Sequence, residues 1–237
     1  VLSCIAAFFF VAFSLLYSVR LVRYPHKCWT EWDCPLRSNS FGAISINLMI
    51  FGFLLYDQID TYELSEKVPQ HLGRALFWIG AISHTLLTIA KTAEWMSRRL
   101  ELEHVHPHYM ILPVGLAIAA LVGPFIEPFA ADNTSAVGNI EISRFFLSFA
   151  KLMWLTLFVI TFFKVLTQHN SDDRLRHGVW LWMASPCVLG LAEYAVCRFD
   201  NFLPDGQCSA EFSQFYFLGI FFALIFTFAA FPNNAFL

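Results

Sequence analysis

The stretch that decides the fold is His106-Pro107-His108-Tyr109-Met110-Ile111-Leu112-Pro113-Val114-Gly115-Leu116-Ala117-Ile118-Ala119-Ala120-Leu121-Val122-Gly123-Pro124. From Tyr109 to Ala131 only Glu127 is charged. That is about the length an α-helix rising ~1.5 Å per residue needs to cross a hydrocarbon core. The sequence therefore predicts a membrane span with breaks in it. Pro113 lacks an amide donor and crowds the preceding turn, and lipid cannot satisfy the backbone groups so freed. Such a kink belongs against protein or water. Gly115, Ala119 and Gly123 recur every four residues, a small-residue stripe that admits either a neighbouring helix or an aqueous path close to the backbone.

Working outward, 57% of the 237 residues are hydrophobic and 17% aromatic, with 27 Phe, while only 14% are charged. A soluble core of this size cannot hide that apolar excess, so the chain is read as an integral membrane protein. A net charge of -3 excludes a basic nucleic-acid footprint, and no base-reading motif is present. Hence the lipid bilayer is an expected partner and nucleic acid is not. The chain opens Val1-Leu2-Ser3 without an initiator Met and is expected to be a fragment, truncated at both ends, forming a single transmembrane domain over 1–237.

Seven apolar segments, about 2–22, 41–57, 75–97, 109–131, 142–166, 178–198 and 212–231, each approach the length of a tilted span. They predict an all-α bundle of seven transmembrane helices. Lys and Arg concentrate in the first, third and fifth loops, while acidic residues balance or outnumber them in the others, which places the odd loops in the cytoplasm. In the second loop, Tyr62 to Pro69 reads as a short surface helix closed by the proline. Cys197 and Cys208 flank the sixth loop and are able to pair if it faces an oxidising compartment.

Ionisable groups inside spans are costly and need a partner or water. Gly80, His84, Thr88 and Lys91 fall on one face of the third span, with Glu94 placed to neutralise Lys91. This face is either a polar lining for an ion path or a satisfied buried histidine beside a snorkelling lysine. Lys151, among Phe145, Phe146, Phe149, Leu152 and Trp154, either attracts an anion or pairs with a carboxylate such as Glu193. The histidines of Glu103-His104-Val105-His106-Pro107-His108 invite a metal, but no Cys or Asp group completes a ligand set, and no metal site is expected. The sixth span repeats the broken theme at Ala184-Ser185-Pro186, so either a lined path or packing connects it with the fourth. No G-x-S-x-G, phosphate loop or H-E-x-x-H occurs, and neither enzymatic activity nor a cofactor is expected.

Tyr17-Ser18-Val19-Arg20, Cys34-Pro35-Leu36-Arg37-Ser38-Asn39-Ser40-Phe41-Gly42, Phe77-Trp78-Ile79-Gly80-Ala81 running to Glu94-Trp95-Met96, His106-Pro107 before Leu112-Pro113-Val114-Gly115, and Ala184-Ser185-Pro186 follow one another along the chain. Their order resembles the tellurite-resistance/dicarboxylate transporter family, which includes the bacterial TehA proteins and the slow-type anion channels of plant guard cells. The resemblance implies a ten-helix fold in which odd-numbered helices line a pore in each of three subunits, with the spans here standing as helices two to eight. It further implies an anion channel or carrier of the plasma membrane, passing chloride, nitrate, a dicarboxylate or an oxyanion. In that register the second, fourth and sixth spans line the pore, with Ser45, Pro113, Gly115, Ser185 and Pro186 as lining residues. A seven-helix receptor shares the topology, but no Asp-Arg-Tyr or Asn-Pro-x-x-Tyr appears at the expected span ends. An intramembrane metal hydrolase would require metal at His106 or His108.

Overall fold

A computed structural model describes residues 2–34, 38–39, 41–62, 67–97, 105–126, 133–167 and 180–199. These residues form seven α-helices: α1 (Leu2–Arg23), α2 (Pro25–Asp33), α3 (Phe41–Tyr62), α4 (Lys67–Ser97), α5 (Ile111–Ile126), α6 (Asn133–Thr167) and α7 (Trp180–Phe199). A 3-10 turn, Pro107–Met110, leads into α5. The fold is all-α among the described residues.

These seven helices are not the seven expected spans. Among the described residues, three stretches are long and apolar enough to cross a membrane, Gln70–Ser97, His108–Ile126 and Ile140–Lys164. A fourth results if Phe8–Arg23 and Pro25–Trp32 count as one broken span, and Phe41–Tyr56 is apolar but shorter. The expected span at 212–231 lies outside the described residues. Helix α2 occupies what hydropathy assigns to the first loop. Its start is local chemistry: Pro25 keeps Tyr24 out of the helical region, at φ -136° and ψ 56°, and itself opens the next helix at the first position. An ion pair between Arg20 and Glu31 then closes the bend between α1 and α2. The proline at the second loop also behaves differently from expectation. Pro69 falls in the first turn of α4, where a missing amide costs no internal hydrogen bond, so it opens a helix and does not close one.

Helix α5 is the hub. It packs against α3, α4, α6 and α7, and 67% of its span is buried, against 33% for α4 and 39% for α6. Leu112, Leu116, Ala117, Ala119, Ala120 and Ile126 are closed off within this core. By contrast α4 turns Ile79, Ile82, Leu86 and Ile89 outward, and α6 turns Phe145, Leu152, Leu155 and Val159 outward. Apolar side chains that water would reject on the outer faces of long helices are what lipid accepts, and the chain is an integral multi-pass membrane protein.

Helices α3 and α4 meet almost backbone to backbone. A Cβ on Gly52 would lie 2.5 Å from the Gly73 carbonyl oxygen, and one on Gly80 would lie 2.8 Å from that of Ser45. Only glycine permits this approach, and it places His84 of α4 directly over the start of α3.

Candidate functional site

The site builds from Gly115. A Cβ at this position would stand only 2.1 Å from Cε1 and Nε2 of the His84 ring, so the missing side chain is replaced by a histidine reaching over from α4. His84 is fully buried. Its Nε2 lies 2.9 Å from the Leu112 carbonyl of α5, which only accepts, so Nε2 carries a proton and donates. Its Nδ1 lies 2.7 Å from the Ser45 hydroxyl of α3. One turn further along α4, the Thr88 hydroxyl donates to the His84 carbonyl at 2.9 Å. Three helices are thus joined by one ring whose nitrogens are both partnered, at a depth where an unpaired polar group is expensive.

The small-residue stripe of α5 is filled by side chains. His84 occupies the place opposite Gly115, and the Ser143 hydroxyl of α6 lies 2.5 Å from where a Gly123 Cβ would be. Close helix packing, one of the two readings of the stripe, accounts for both glycines. The break expected at Pro113 also takes another form. Pro113 sits in the first turn of α5, immediately after the 3-10 turn, where its lack of an amide hydrogen is tolerated, and Pro124 is the interior proline of this helix. Helix α7 does carry its proline inside, at Pro186. Ser185 and Pro186 are buried on α7, the helix that packs along α5.

The polar face Gly80, His84, Thr88 and Lys91 is buried along its whole length. Lys91 donates to Glu94 at 2.8 Å and to the Trp32 carbonyl at 3.2 Å, and its ammonium stands 4.3 Å from the centroid of the Trp32 ring. The contact with Trp32 was not foreseeable, since it depends on α2 folding back from a segment that hydropathy treats as a loop. Lys151 pairs with Glu193 of α7, the second of the two roles open to it, and Glu193 balances the charge that Lys151 would otherwise offer to an anion. Lys164, buried near the end of α6, donates to the Val105 carbonyl at 2.7 Å.

Among the described residues, no three His, Cys, Asp or Glu side chains gather as a metal site. Glu103 and His104 lie outside those residues, as does Cys208, while Cys197 is disulfide-bonded.

Among all described helices, α5 contacts both α3 and α7, so the second, fourth and sixth expected spans form one adjoining row with α4 and α6 flanking it. The profile of the family described as "Voltage-dependent anion channel" matches residues 1–236. The chain belongs to the voltage-dependent anion channel family. Curated relatives are more distant. An uncharacterized transporter of Methanocaldococcus jannaschii is 24% identical over 174 residues, 73% of this chain and 48% of the relative. A tellurite resistance protein TehA homolog of Haemophilus influenzae is 23% identical over 195 residues, 79% of this chain and 52% of the relative. A second uncharacterized transporter of M. jannaschii is 21% identical, covering 73% and 47% respectively. The chain spans about half the length of the curated relatives it matches.

Proposed function

We propose that this protein is an anion channel or carrier of the plasma membrane that passes small anions along the row α3–α5–α7. The family match over residues 1–236 is the observation that carries this reading. The buried, proline- and glycine-bearing row α3–α5–α7, enclosed by helices with apolar outer faces, supports it. In this reading Ser45, Pro113, Gly115, Ser185 and Pro186 belong to the helices that line the path, and chloride, nitrate, a dicarboxylate or an oxyanion passes by weak, successive contacts with small polar groups and backbone dipoles. Three subunits, each with its own path, form the assembly.

The deciding experiment uses the protein at its complete natural length, reconstituted in vesicles and planar bilayers with asymmetric chloride. Current whose reversal potential follows the chloride gradient supports the reading. Folded, inserted protein that passes no chloride, nitrate, dicarboxylate or oxyanion, or whose reversal potential follows the cation instead, refutes it.

A further inference from the structure

We infer that the outward face of α2, together with the last residue of α1, is a docking surface for the headgroup of an anionic phospholipid. The depth of this face is set by α1. Leu15, Leu16, Val19, Leu21 and Val22 are all exposed, Val22 by 81%, and apolar side chains so displayed along a helix are stable against acyl chains. Arg23, the next residue, is exposed as well. Hydrocarbon therefore gives way to headgroups between Val22 and Arg23. There the chain turns: Pro25–Trp32 is bent by 113° from Phe8–Arg23. The second helix does not leave the surface but swings nearly into the membrane plane.

The two faces of α2 differ in kind. Inward, Cys28 is buried, the Trp32 ring lies 5.7 Å from that of Phe41 at the start of α3, and the Trp32 carbonyl accepts from Lys91 of α4. With the Arg20–Glu31 pair, these contacts fix the rotation of α2 about its own axis. Outward, His26, Lys27 and Thr30 share one exposed face. The charges on that face are not balanced. Arg20 holds the Glu31 carboxylate, whereas among the described residues neither Arg23 nor Lys27 has a carboxylate partner. Asp33 comes six residues after Lys27, about 9 Å further along the axis. The Lys27 ammonium stands 5.1 Å from the centroid of the Tyr24 ring, and Tyr24 is itself exposed, an amphipathic aromatic at the depth where membrane proteins carry them. Two uncompensated cations and the ring N–H of His26 are thus held by a pinned helix at headgroup level, and a phosphodiester with net negative charge is their complement. The excess of Lys and Arg in this loop turns the face to the cytoplasmic leaflet, where anionic lipids concentrate.

The test uses the full-length protein in a neutral detergent, with dioctanoyl phosphatidylserine or dioctanoyl phosphatidylcholine added and the bound lipid counted by native mass spectrometry. Wild type is expected to bind the serine lipid about tenfold or more tightly than the choline lipid, each surface cation contributing about fivefold. Arg23→Gln with Lys27→Gln is expected to lose most of that preference, and raising the salt from about 0.1 M to about 1 M is expected to shrink it in wild type. Arg144→Gln, which removes an exposed cation near the start of α6, is expected to keep it. No preference in wild type, an unchanged preference in the double variant, or an equal loss in Arg144→Gln overturns the inference. Displacement of the serine lipid by excess inorganic phosphate identifies a site for free oxyanions and overturns the lipid assignment. Should the double variant fail to accumulate as folded protein, Lys27→Gln alone decides: an affinity for the serine lipid equal to wild type sinks the proposal. Anion flux plays no part in this measurement, so its outcome is independent of the conducting path proposed above.

Discussion

The contact between Gly115 and His84 makes a prediction whose size follows from the structure. In Gly115→Ala the new methyl group would stand 2.1 Å from Cε1 and Nε2 of His84, and the ring, pinned between α3 and α5, has to leave its place. Overpacking a filled site costs ~1–3 kcal/mol. Displacing the ring also breaks the bonds to Leu112 and Ser45, each worth ~0.5–1.5 kcal/mol net. Alanine returns roughly 1 kcal/mol through its better helix propensity. The sum is a destabilisation of about 1–5 kcal/mol. Gly123→Ala is the internal control, because the group in its way is the Ser143 hydroxyl at 2.5 Å, whose oxygen can swing aside by rotation about one bond. Propensity then offsets most of the crowding, and the net change is expected within about 1 kcal/mol. The assay is unfolding in mixed micelles with increasing SDS, followed by the fluorescence of the 7 Trp residues. A double-mutant cycle with His84→Ala completes it: once the ring is gone the alanine at 115 has room, so the two costs must couple by at least ~1 kcal/mol. If Gly115→Ala is no more harmful than Gly123→Ala, or if its cost adds to that of His84→Ala without coupling, the packing argument is wrong.

Other contacts make shorter predictions. Gly52→Ala sets a methyl group against the Gly73 backbone, which cannot rotate away, so the α3–α4 seam opens at a cost of about 2 kcal/mol or more and the yield of folded protein in detergent falls. Glu193→Ala removes the carboxylate paired with the Lys151 ammonium; since that lysine is 36% exposed, the loss is put at ~1–3 kcal/mol, below the cost for a fully buried pair, and Lys151→Met combined with Glu193→Gln is expected to recover most of it in thermal melts. Trp32→Leu removes the ring over the Lys91 ammonium, a contact worth up to ~2 kcal/mol where water is excluded, and faster cleavage of the α1–α2 segment by added protease is the expected readout.

Much of this architecture is legible in the chain because apolar length is a strong signal. The helices around residues 80, 118 and 152 stand where unbroken apolar runs predict them, and the pairing of Lys91 with Glu94 follows from a three-residue spacing. What hydropathy misses is shaped by proline position relative to a helix start. Pro25, Pro69 and Pro113 all sit in first turns, where proline is harmless, and a composition window cannot tell a first turn from an interior. The polar knot was legible only in part. His84 can be read as buried and satisfied, but its partners are a serine 39 positions back and a carbonyl 28 positions ahead, and a backbone oxygen leaves no mark in a sequence. The glycine stripe of α5 is plain to see, whereas what fills it depends on which neighbours reach in.

The enclosure of α5 has a mechanical consequence. With four helices around it, this element meets lipid hardly at all, while α4 and α6 present long rows of Ile, Leu and Phe to the bilayer. A thicker or thinner host membrane therefore acts first on the tilt of α4 and α6. It reaches the central helix only through the seams at Gly115 and Gly123, where a displaced His84 or Ser143 would register the strain.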